Sequence, residues 1–254
     1  TAIGAWQVLA HVRPRALGLF NNPNMYGHII LILGFMSICG LFLTRSNWRW
    51  VFLAGPVLGI VGAILSGSRG TLLAIPVAAV LALAFVLTQP GARRWVFGFL
   101  AIAFAALAVW LLFFAEFERG LSRITDMFEI MAEVIRTGQT DDLGSRTRLL
   151  VYAGAWEAFL QSPIIGHGWA GAVPASIVGI EDERALHIAR TFRHMHNDFL
   201  GFAAGAGLVG LIGFFAMMLA PFYSLRHRDA LFWHRAYIAG LMVSTYAVYG
   251  VLDA

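Results

Sequence analysis

Apolar residues fill long runs along this chain, and polar positions gather between them. A helix that crosses a bilayer needs about 20 mostly apolar residues. Segments approaching that length are Met25–Leu43, Trp50–Leu65, Thr71–Thr88, Trp95–Phe114, Phe199–Phe222 and Ala236–Val251. Pro56 and Pro76 fall inside the second and third, which is tolerable where neighbouring helices re-satisfy the backbone. The one long polar stretch, about residues 115–198, carries helical periodicity of its own. Leu121, Ile124, Met127, Phe128, Met131, Val134 and Ile135 predict an amphipathic helix. A second helix is expected over Ser145–Leu160, started by Gly144 and Ser145 and ended by Ser162-Pro163. Its predicted apolar stripe is Leu149, Ala153, Trp156 and Phe159 or Leu160. Gly166-His167-Gly168 then forces a turn, and Glu181–Arg193 reads as a short charged helix. The expected fold is all-α: a polytopic transmembrane helical bundle with a large helical outer loop.

Composition agrees with that pattern. The 254 residues are 59% hydrophobic and 13% charged, about half the charged fraction of a soluble domain, and the mean hydropathy is +0.73. The net charge of +4 does not imply nucleic acid, because the arginines are scattered over loops and helix ends. All eighteen basic residues are arginine. Cys39 is alone, so there is no disulfide framework or cysteine-based metal site. The chain shows no cleavable signal peptide and stops within an apolar run. It is expected to be a single membrane domain over residues 1–254, cut from a longer multispanning protein.

Orientation follows from the short loops, since arginine-rich connections stay in the cytoplasm. Arg45 and Arg49, Arg93 and Arg94, and Arg226, Arg228 and Arg235 form one set; Arg69 stands alone on the other side. Arg69, the 115–198 loop and residues 194–197 are therefore expected on the outer face of the membrane.

The groups suited to chemistry collect on that face. His194-Met195-His196-Asn197 immediately precedes the fifth apolar run, and histidine is the side chain best able to move a proton near neutral pH. His196 outranks His194 because it abuts Asn197, which is placed to fix its tautomer or meet the same ligand. The plainer alternative is a helix cap anchored among lipid headgroups. Arg69 sits in Ser66-Gly67-Ser68-Arg69-Gly70-Thr71, where hydroxyls of Ser66, Ser68 and Thr71 would join its guanidinium around an anion. Arg146 and Arg148 lie at the start of the Ser145–Leu160 helix, where the N-terminus favours anions. His167 and His187 are unaccompanied. No metal site is expected: His194 and His196, two residues apart, do not share a helix face, and no acidic cluster joins them.

The order of short motifs resembles the O-antigen ligase-related superfamily, which includes O-antigen ligases, O-antigen and exopolysaccharide polymerases, and protein O-oligosaccharyltransferases. The motifs are Gly18-Leu19-Phe20-Asn21-Asn22-Pro23-Asn24, Ser68-Arg69-Gly70, Arg148 to Tyr152, Ser162 to Gly168, and His196 to Leu200. The resemblance implies a GT-C-like, metal-independent glycosyltransferase without cofactor, using an undecaprenyl-diphosphate-linked glycan donor. It further implies diphosphate binding by Arg69 and Arg148, with Arg146 the weaker match, and catalysis by His196. His194, Asn197 and Ser68 would support them. The family often carries Glu-x-Gly after the His-Asn pair, whereas this chain has Gly205-Ala206-Gly207.

On this reading the acceptor is lipid A–core oligosaccharide or another glycan, and the surrounding partners are membrane lipids. A polymerase would use the same diphosphate clamp with a second lipid-linked repeat unit. A transporter with an outer lid is the non-enzyme alternative, disfavoured because no Asp, Glu or Lys stands in mid-span.

Overall fold

The computed structural model of the chain describes residues 2–9, 15–90, 97–98, 104, 129, 132–133, 136–137 and 140–252. Its elements are α1 (Ala2–Leu9), α2 (Pro23–Met36), α3 (Ile38–Leu43), α4 (Ala54–Ser66), α5 (Arg69–Leu87), α6 (Leu143–Gln161), α7 (Ala172–Ser176), α8 (Glu183–Ala189), α9 (Asp198–Leu219) and α10 (Phe232–Leu252). Short 3-10 helices over Asn47–Leu53 and Ala220–Arg226 complete them. No strand occurs among the described residues. Four stretches are long and apolar enough to cross a bilayer: Pro23–Leu43, Asn47–Ser66, Gly70–Leu87 and Asp198–Arg226. They coincide with the first, second, third and fifth expected spans, and the protein is all-α and polytopic. The expected span over 95–114 and the amphipathic helix over 121–135 fall mostly outside the described residues. The sixth expected span lies within α10, whose first turn carries His234 and Arg235.

Contacts gather the chain into two compact units, Thr1–Ser122 with Ala220–Tyr249, and Arg123–Leu219 with Gly250–Ala254. In the first unit, α2 starts where its sequence says it should. The Asn22 side chain accepts the N–H of Asn24 at 2.8 Å, and Pro23 occupies the first helical position, where its missing donor costs nothing. Gly55 and Gly59, one turn apart on α4, let the α2 backbone come close: a Cβ on Gly34 would lie 2.5 Å from the Gly55 carbonyl oxygen. Such small-residue contacts replace the hydrophobic effect as the means of joining helices within lipid. Leu31, Phe35, Ala74, Ala78, Phe85 and Leu241 fill the core between α2, α5 and α10. The Tyr237 hydroxyl donates to the Phe35 carbonyl at 2.8 Å, removing the only polar cost of burying that ring.

The second unit is built on α6, and here the sequence reading needs two corrections. The helix begins at Leu143, with the Asp142 carboxylate accepting the Ser145 N–H at 2.7 Å. A carboxylate therefore already occupies the N-terminus that the sequence offered to an anionic ligand. The buried stripe keeps Phe159 of the expected set but is otherwise Thr147, Val151, Ala155 and Ala158, while Leu149, Trp156 and Leu160 are exposed. Small residues win the inner face because α7 approaches closely; a Cβ on Gly154 would collide with the Ser176 carbonyl. Periodicity identified the helix, but side-chain size decided which face is covered.

α9 is broken at Gly207 (φ 61, ψ −147). An unbroken helix would bond Leu208 N–H to Ala204 and Val209 N–H to Gly205. Instead Leu208 and Val209 donate to the carbonyls of Pro163 and Ile164, at 2.7 and 3.2 Å. The freed carbonyls of Ala204 and Gly205 accept the N–H groups of His167 and Gly168, at 2.9 and 2.8 Å. The Pro163–Gly168 segment thus replaces both missing helical bonds, which keeps the backbone groups around buried Gly205 and Gly207 satisfied. Gly166 (φ 66) allows the approach, since a Cβ there would lie 2.5 Å from Ala206 N. Gly207→Ala is expected to destabilise the protein by about 3 kcal/mol, because only glycine accepts that backbone conformation and the methyl would press on Ile164. Thermal unfolding in detergent checks this, with Gly213→Ala, which has open space at its Cβ, as the neutral comparison.

Candidate functional site

The chain leaves α8 at Ala189 and reaches α9 through the His194–Asn197 tetrad. Met195 is buried in the core of the second unit, which turns its two neighbours outward: His194 is exposed and His196 half-buried. His196 has φ 55, and among the described residues it is the one non-glycine with positive φ. A side chain in that region costs about 1–3 kcal/mol and persists where surroundings over-determine it. The surroundings here are specific. The Tyr152 hydroxyl, from α6, donates to the His196 carbonyl at 2.7 Å. The Phe192 ring meets the imidazole edge-on at 4.7 Å, and the His194 ring does so at 4.3 Å.

Asn197 performs the plainer of its expected tasks, a helix cap. Its side-chain oxygen accepts the Leu200 N–H at 3.0 Å, capping α9 and leaving Asp198 in the first turn, where a negative charge is favoured. A pocket of about 190 Å³ opens at this helix start, walled by Trp169, Arg193, His194, His196, Asn197 and Asp198 among others. The pocket sets a proton acceptor, a cation and hydrogen-bonding groups around one small volume.

Arg148 stands one turn before Tyr152 on the same face of α6. It is half-buried and forms no ion pair among the described residues. Arg146 points elsewhere and pairs with Asp182 at 3.0 Å, with its side chain 53% exposed. Asp182 itself caps α8, accepting the N–H groups of Ala185 and Arg184. The Ala185 hydrogen bond, helped by that of Arg184 and by the Arg146 and Arg184 charges, holds its carboxyl below the usual range. Its cap therefore contributes above the ordinary carboxylate pKa and is lost as pH falls through the lowered value. Arg146 is tied to holding α8 on α6, a role the sequence did not reveal.

Arg69 is the first residue of α5; its side chain lies outside the described residues. The hydroxyls expected to join it around an anion are committed inward. Ser68 caps α5 by accepting from Thr71, whose hydroxyl also donates to Ser68 at 3.0 Å, and Ser66 donates to the Ala63 carbonyl at 2.6 Å. Ser66, Ser68 and Thr71 are all buried. Sequence reasoning passed over Arg15, which donates to the Ser66 carbonyl at 2.6 Å and to the Asn24 side chain, tying the Asn22-Pro23-Asn24 motif to the turn before Arg69. Nothing in the sequence pairs Arg15 with a position 51 residues away. His167 is structural, its Nε2 lying 2.8 Å from the Ala158 carbonyl oxygen, and His187 sits exposed in the last turn of α8. No group of three or more His, Cys, Asp or Glu suited to a metal occurs among the described residues.

The departure from Glu-x-Gly also has a local counterpart. Gly205 lies against the Trp169 ring, so a Cβ there would sit 3.0 Å from its Cε3. A search among curated proteins finds no match. Residues 54–215 match the O-antigen ligase family, a stretch that covers more than half of the chain and contains Arg69, Arg148 and the whole His194–Asp198 pocket wall, and the chain belongs to that family.

Proposed function

We propose that this membrane protein transfers a glycan from undecaprenyl diphosphate to lipid A–core oligosaccharide, without a metal and with inversion at the anomeric carbon. The observation that carries the proposal is the pocket at the start of α9, where His196 is held in an unusual backbone conformation beside Arg193, Asn197 and Asp198. In the proposed reaction the acceptor hydroxyl attacks the anomeric carbon as the bond to the diphosphate oxygen breaks. His196 takes the hydroxyl proton, and polyprenyl diphosphate departs with the electron pair. Charge builds on that leaving group, and arginine forks stabilise it as they would a metal-free phosphate. Arg148, half-buried and without an ion pair among the described residues, has a placement suited to this. Arg69 is assigned the same task on the sequence resemblance.

The test supplies purified full-length protein with undecaprenyl-diphosphate-linked glycan and, in separate arms, lipid A–core or a second lipid-linked repeat unit. Product only with lipid A–core supports the ligase; product only with the second unit would make the protein a polymerase. Product in neither arm, with a pilin-type protein glycosylated instead, would make it an oligosaccharyltransferase. Solute movement through liposomes without glycan product would overturn the enzyme reading.

The proposed orientation puts the pocket in the periplasm of a bacterial inner membrane. In a Cys39→Ala background, an impermeant thiol reagent added outside spheroplasts is expected to label a cysteine at exposed Glu181 and to miss one at exposed Arg45. The reverse pattern would place the pocket in the cytoplasm.

A further inference from the structure

We propose that Trp169 is the sugar platform of the His196 pocket, with its indole stacked on a pyranose ring of the bound glycan. The inference rests on the glycosyltransferase reading above and adds the group that grips sugar rather than diphosphate. Trp169 leaves a backbone that is fixed to α9 through the His167 and Gly168 hydrogen bonds to Ala204 and Gly205. Its ring rests on Gly205, whose absent side chain makes the room, and meets Phe202 edge-to-face at 5.0 Å and 86°. Both contacts hold the indole in place, yet it remains 63% exposed. A rigid aromatic surface therefore stands open as one wall of the pocket.

The other walls fix the chemistry of what that surface takes. Arg193, His194, His196, Asn197 and Asp198 offer donors and acceptors suited to hydroxyl groups. A pyranose has a face of C–H groups and a rim of hydroxyls. The C–H face suits the negative face of an indole, while the rim suits the polar walls. A lipid tail would match the tryptophan but would bury the polar side chains of Arg193 and His194 against hydrocarbon. Tryptophan also serves as an anchor at membrane surfaces, and an anchor would not distinguish a lipid that carries sugar from one that does not.

That difference supplies the experiment. Full-length protein in nanodiscs is titrated with undecaprenyl diphosphate and with undecaprenyl-diphosphate-linked N-acetylglucosamine. The wild type is expected to bind the sugar-bearing lipid about three- to tenfold more tightly, the range for one aromatic contact. Trp169→Ala is expected to abolish that preference while leaving affinity for the bare diphosphate lipid unchanged, and Trp169→Phe to restore part of it. Equal weakening for both lipids would make Trp169 an anchor or a packing residue, and an unchanged preference would place the sugar elsewhere; either result overturns the proposal. No preference in the wild type would do the same. Failure of the wild type to bind either lipid would instead remove the underlying diphosphate-donor reading.

Discussion

His196→Ala is expected to lower glycan transfer by about 10²–10⁴-fold, the usual contribution of a general base, with donor lipid still bound. The imidazole is the proposed proton acceptor, whereas the donor's diphosphate is proposed to be held by other residues. His194→Ala tests the assignment within the pair, because the two rings touch but only His196 has the constrained backbone. Its expected loss is much smaller. Tyr152→Phe removes one hydroxyl and the bond to the His196 carbonyl. It is expected to reduce kcat about three- to tenfold, the worth of one ordinary hydrogen bond, with KM for donor unchanged. A KM effect alone would make Tyr152 a substrate contact rather than the residue that positions His196. Equal loss in both histidine variants, restored by an added divalent ion, would replace the general base with a metal bound by His194 and His196.

Arg148→Lys is expected to cost one to two decades in turnover although the charge is kept. Lysine cannot reproduce the planar, two-pronged grip of guanidinium on phosphate oxygens, and loss of a charge-assisted bond costs about 1.5–3 kcal/mol. Arg69→Lys is expected to behave alike if the sequence resemblance carries over. Arg146→Ala is the contrast. An exposed ion pair contributes about 0–1 kcal/mol, so this variant should lose little activity and slightly loosen α8. Turnover measured with saturating and limiting donor separates these outcomes. Full activity in Arg148→Lys beside an inactive Arg146→Lys would show that the Asp182-paired arginine is the one that meets diphosphate.

The sequence by itself determined that this is a helical membrane protein and located four of its spans. Runs such as Thr71–Thr88 are long and apolar enough to cross a bilayer, and helix ends follow from local chemistry, as at Asn22-Pro23. It also pointed to the tetrad before α9, since ionisable groups crowded against an apolar run are uncommon. Motif order gave the family, and the match over 54–215 bears that out.

Tertiary structure decided what depends on partners distant in sequence. The close approach of α7 at Gly154 helped settle which face of α6 is covered, and of the stripe that hydrophobicity alone suggested Phe159 is buried while Leu149 and Trp156 are exposed. Motif spacing already favoured Arg148 over Arg146; Asp182, 36 positions after Arg146, shows what Arg146 pairs with instead. The Ser162–Gly168 motif reads only as a turn until Leu208 and Val209 are seen donating into it. The same holds for His196, whose left-handed backbone is sustained by a tyrosine 44 residues earlier. Hydrogen bonds and packing across such separations have no periodicity to betray them, because they are fixed by where helices cross and not by how each helix is written.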